Sequence, residues 1–157
     1  MSLATVLDFI NLFFAGILAG ALFVIDYGVG RAIAAVVDEQ AQIQLRQALI
    51  LSLRVMVPVI FMLTILSGIA ITVLDGFDAG FAFRLAGLLV VLASFSLALL
   101  GTAPINAAVL DWQPGAPPKN WRTLVNRWQR FDRARTWAGI AAFVLFLAAT
   151  ALKLAIH

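Results

Sequence analysis

Five polar side chains that could act together stand out against an apolar background: Asp26, Arg54, Asn106, Asp132 and Arg135. A carboxylate can take a proton from an acidic C–H or O–H, while a guanidinium and a carboxamide can stabilise the oxyanion that forms. Asp132 and Arg135 are three residues apart, so on a helix they share one side. That side also carries Trp121, Leu124, Val125, Trp128 and Phe131, whereas Lys119, Arg122, Asn126, Arg130 and Arg133 fall opposite. The basic side suits lipid headgroups. An inward-facing polar pair near a membrane is costly, and marks either a functional site or a salt bridge joining one helix to its bundle. A carboxylate held by arginine is a poor base. Asp26 is therefore the better candidate base and Asp132 the second. Arg54, Asn106, Trp112, Trp121 and Trp128 are the candidate substrate-binding residues. Three of the chain's four tryptophans precede the last apolar run, placed to roof the polar layer or to serve as interfacial anchors.

Other chemistries lack their residues. Cysteine is absent and the single histidine is His157, which removes thiolate ligands, bis-histidine haem and histidine base catalysis inside a bundle. No cofactor and no metal is expected, and the purified protein should be colourless. The sequence pI is about 10.2. Its basic residues cluster beside apolar runs, so the expected partners are membrane lipids, with no nucleic acid.

The elements that must position these residues are read from four uncharged stretches, at 10–25, 55–74, 85–110 and 136–152. A bilayer core needs roughly 20 apolar residues per helix. The mean hydropathy is +1.02 and 12% of residues are charged, about half the usual share in soluble domains. The expected fold is an all-α membrane protein of one domain, 1–157, with four transmembrane helices in one antiparallel bundle at about 3–36, 42–74, 83–110 and 120–156. The first run lacks a basic flank and a small-residue cleavage site, so it reads as a retained helix. Nine of the eleven Lys and Arg residues fall in the first and third connections. By the charge rule for loops, that end is cytoplasmic and both termini are extracytoplasmic, in a bacterial inner membrane.

Within these helices, Gly16 and Gly20 permit close packing inside the bundle or, alternatively, in a homo-oligomer. Asp8 and Asp26 lie on one stripe but about 27 Å apart, so they cannot form a dyad. Pro58 should kink the second helix, and Pro104 is a second proline near the cytoplasmic end of the third, beside the polar pair Thr102 and Asn106. The charges of 38–46, including Arg46, read as a solvated face. Asn120 is placed to cap the last helix.

Asn106, the Trp112–Pro118 turn, Trp121, Leu124, Trp128 and the Arg135-Thr136 pair resemble the signature of the anthrone oxygenase-like family of small four-helix membrane proteins. Length and helix number agree over the whole chain, the motif only over 102–136. The resemblance implies oxidation of anthrones to anthraquinones by O₂ without metal or flavin. A histidine commonly stands in that family where this chain has Asp132, which implies altered chemistry there. The expected function is a cofactor-independent oxygenase acting on a lipophilic anthrone- or quinol-like aromatic. The alternative is a non-enzymatic accessory or a lipid- or small-molecule-binding module. A transporter is a third reading, disfavoured because the charges lie at the interfaces and no internal repeat is visible.

Overall fold

The computed structural model describes residues 3–155. The expected end of the last helix at 156 and the sole histidine, His157, lie outside the described residues. Four all-helical spans are long and apolar enough to cross a membrane. They comprise α1 (Leu3–Ala34), α3 (Met56–Asp75), α4 (Phe81–Leu110) and α5 (Trp121–Ala155), with a shorter helix α2 (Glu39–Leu53) leading into α3. The chain is thus an integral membrane protein. With short links, consecutive spans are antiparallel neighbours, and α1 closes the ring against α5.

Two departures from straight helix follow from proline. The carbonyl of Arg54 would receive its i+4 bond from residue 58, and proline has no N–H to give. The ring also crowds that carbonyl. Helix α2 therefore ends at Leu53 and α3 begins at Met56, so the second span is broken where 42–74 is expected to be continuous. The N–H of Val59 restores the ladder by donating to Val55 at 3.2 Å. In α4 the carbonyl that Pro104 leaves unpaired is Leu100, and the helix widens into a π turn over Ala98–Thr102. Helix α1 widens likewise over Val24–Gly30, which contains Asp26. Asp38 caps α2, its Oδ2 accepting from the Ala41 N–H at 2.8 Å. Asn120 precedes α5 and its carbonyl accepts from the Leu124 N–H at 3.1 Å.

The interior is filled by Leu18, Leu22, Phe61, Val91 and Phe146. Helices approach closely around Phe146: an added Cβ at Gly68 or Gly87 would come within 3.1 Å of its ring. Gly16 lies under Phe143, while Gly20 meets nothing within 4 Å, so the two glycines do not form one contact stripe. Asn11 ties α1 to α3 by donating to the Thr64 carbonyl at 3.2 Å and to Ser67 Oγ at 2.9 Å.

The end opposite the arginine-rich connections is held by charge. Lys153 Nζ donates to Asp8 Oδ2 and to Asp75 Oδ2, each at 2.6 Å. Arg84, only 1% exposed, reaches Asp78 at 2.6 Å and Asp75 at 3.5 Å and donates to the Gly76 carbonyl at 3.1 Å. One network of three acids and two bases thereby joins all four spans. Burial pushes the Asp78 carboxyl upward, but its bonds to Arg84 and to the Gly80 N–H hold it below the usual carboxylate range.

Candidate functional site

At the arginine-rich end the break after Leu53 and the π turn of α4 leave a groove of about 370 Å³ between α2, α3 and α4. Its walls are apolar, with Leu53, Val57 and Phe61 on one side and Phe95, Leu99 and Ala103 on the other. Polar groups converge on it from three elements: Arg54 at the α2–α3 break, Thr102 and Asn106 from α4, and Arg135 from α5, with Trp128 beside them. Arg54, Leu99 and Ala103 are exposed, so the groove opens at the surface of the bundle.

Each polar group is positioned by the fold. Asn106 Oδ1 accepts from the indole N–H of Trp128 at 2.8 Å, which fixes the ring against α4. Thr102 bonds back to the Ala98 carbonyl at 3.0 Å. Arg135 is 7% exposed and Asp132 fully buried. They pair through Nη2 and Oδ1, while Arg135 Nε and Asp132 Oδ2 have no hydrogen-bond partner among the described residues. Around them, Ser94 donates to the Arg135 carbonyl at 2.9 Å and Thr136 to the Leu22 carbonyl at 3.2 Å, clamping α5 to α4 and α1. The close approach of α5 to the α4 π turn requires glycine at 101, where an added Cβ would lie 2.5 Å from the Phe131 ring.

The candidate residues therefore divide. Arg54, Asn106, Trp128 and Arg135 share the groove. Asp26 is buried near enough to Asp132 for their charges to interact, but it does not line the groove; its neighbour Ile25 does. Its Oδ2 lies 3.8 Å from Nε of Arg133 and makes no hydrogen bond among the described residues. Trp121 is buried along a different depression, and half-buried Trp112 lines neither. The Trp112 carbonyl instead accepts from Gln47 Nε2 at 2.9 Å, as does that of Val109. The three tryptophans thus do not form one roof, because the turn after Leu110 carries Trp112 toward α2.

Arg46 corrects the reading of 38–46 as a solvated face. It is buried at 5% exposure, since Ile43 and Arg46 turn inward toward α5 while Glu39 and Gln40 face out. The charged network at the opposite end is equally hidden in the sequence, where Arg84 and Lys153 read only as isolated charges. Among the described residues, no group of three or more His, Cys, Asp or Glu side chains could hold a metal ion. No protein-family model, curated protein or solved structure matches the chain.

Proposed function

We propose that this membrane protein takes a lipophilic, electron-rich aromatic of the anthrone or quinol class into the groove and oxidises it with O₂ without a cofactor. The observation that carries the reading is the convergence of Arg54, Asn106, Trp128 and Arg135 on one apolar groove of about 370 Å³. That volume lies at the compact end of small-molecule sites, and apolar walls with a few polar groups are their usual composition. A carboxylate removes a proton from the substrate, and Arg135 and Asn106 hold the resulting oxyanion. The carbanion reduces O₂. For an anthrone, one oxygen becomes the new carbonyl and the other leaves as water, so that CH₂ and O₂ give C=O and H₂O; a quinol and O₂ give the quinone and H₂O₂. The candidate carboxylates are Asp26, which is buried, and Asp132, which pairs with Arg135.

A specific observation favours the second reading, a binding module without turnover. Neither aspartate lines the groove, and Asp132 is already engaged by Arg135. Anthrone added to the protein in lipid nanodiscs separates the two. Saturable binding with O₂ uptake, the uptake lost in Asp26→Asn while binding persists, supports oxygenation. Saturable binding with no O₂ uptake above the protein-free rate leaves the binding module. Absence of saturable binding removes both.

The same arginines support an orientation. Nine of eleven Lys and Arg residues gather at the groove end, and the charge rule for loops then supports a cytoplasmic groove end and external termini in a bacterial host. A green fluorescent protein fused after residue 157 should stay dark in the inner membrane, whereas a periplasmic reporter there should be active. A fluorescent fusion reverses the orientation.

A further inference from the structure

A second depression at the arginine-rich end shares no lining residue with the apolar groove. It holds about 310 Å³ and lies between the start of α2 and the start of α5. Arg46 lies within it, 95% of its surface buried. Among the described residues no acid pairs with this arginine: Glu39, the carboxylate on the same depression, is held by Arg122, and Asp132 by Arg135. Arg46 Nε has no hydrogen-bond partner among the described residues. The guanidinium rests on Trp128, 5.7 Å from the ring centroid, which offers its charge a weak π contact but no counter-ion. Burial with no offsetting acid lowers the pKa of Arg46, as expected of a cation lacking its partner.

The rest of the depression supplies donors. Asn126 and Gln129 line it from successive turns of α5, and Gln42 gives one of its amide hydrogens to the Val36 carbonyl. Its charged groups are Arg46, Arg122 and Glu39, which leave one positive charge uncompensated. An apolar ligand gains little there. A guanidinium fork matches an oxyanion with two parallel hydrogen bonds, and phosphate is the oxyanion abundant at this level of a membrane. Exposed Arg122, Arg127, Arg130 and Arg133 on α5 add a positive field that concentrates such anions.

We infer that this depression is a phosphate-binding site, in which Arg46 grips the anion from within and Asn126 and Gln129 donate to it from α5. The phosphate is either a lipid headgroup or a free ion, and the chemistry of recognition is the same.

The test uses the full chain, delipidated in a neutral maltoside detergent. Inorganic phosphate is titrated against chloride at matched ionic strength by calorimetry, and phosphatidylglycerol adducts are counted by native mass spectrometry. Saturable phosphate binding, weakened about tenfold or more in Arg46→Gln and much less in Arg130→Gln, which removes only a share of the surrounding field, supports a free-ion site. Retained phosphatidylglycerol, lost in Arg46→Gln, with no response to inorganic phosphate, supports a headgroup site. If Arg46→Gln fails to fold, the Asn126→Ala/Gln129→Ala pair, altered only on the outer side of α5, should weaken the same signal. No phosphate or lipid binding by the wild type, or binding that neither Arg46→Gln nor the α5 pair weakens, overturns the site.

Discussion

Replacing Lys153 by methionine is expected to cost about 3–5 kcal/mol of stability, because breaking a buried ion pair leaves an uncompensated charge. Lys153 Nζ lies 2.6 Å from both Asp8 and Asp75. Asp75 would keep Arg84 at 3.5 Å, so Asp8, 1% exposed, is the carboxylate left stranded. Methionine keeps the length of the side chain and isolates the loss of charge from the loss of volume. The measurement is the unfolding midpoint in detergent as denaturant is raised. Adding Asp8→Asn to Lys153→Met should recover much of the loss, since a neutral amide needs no counter-ion. A loss below about 1 kcal/mol, the range of a solvated surface pair, would show that the network is open to water and does not brace the bundle.

Arg135→Ala should fail in two separable ways. Asp132 is fully buried and Arg135 is its cation, so truncation should again cost about 3–5 kcal/mol. It should also abolish anthrone binding, since Arg135 is the charged group from α5 on the apolar groove. The double variant Asp132→Asn/Arg135→Leu should regain stability without regaining binding, because replacing a buried pair by neutral groups removes the stranded charge. Arg130→Ala, on the exposed side of the same helix, should do neither. Binding by the double variant at wild-type strength would remove Arg135 from the ligand site and leave the pair a structural bridge.

How much of this was legible in the sequence follows from the range of the forces involved. Four spans could be read because a bilayer demands a local quantity, an apolar length whose backbone groups bond to one another. The inward face of α5 was legible too: Trp121, Val125, Trp128, Asp132 and Arg135 are all buried, as their shared helical side requires, while Arg122, Asn126, Arg130 and Arg133 are exposed. The stripe from Asp8 through Ala15 and Ala19 to Asp26 is likewise buried. Only the tertiary structure decided which of these groups meet. Asp8, the Asp75 and Arg84 pair and Lys153 come from three distant parts of the chain and share nothing in sequence except their level in the membrane. Their meeting depends on how each helix is rotated, which the close contacts of Gly68 and Gly87 with Phe146 help to set. Composition likewise contains the prolines, but the tertiary structure decides how each is absorbed. Pro58 ends α2 at Leu53, and Pro104 follows a π turn at Ala98–Thr102. Between those two irregularities the helices part and the groove forms. Trp112 and Trp121 are carried away from it, and Arg46, charged and placed among solvated neighbours in the sequence, is buried because α2 packs on the end of α4 and brings the guanidinium over the Trp128 ring.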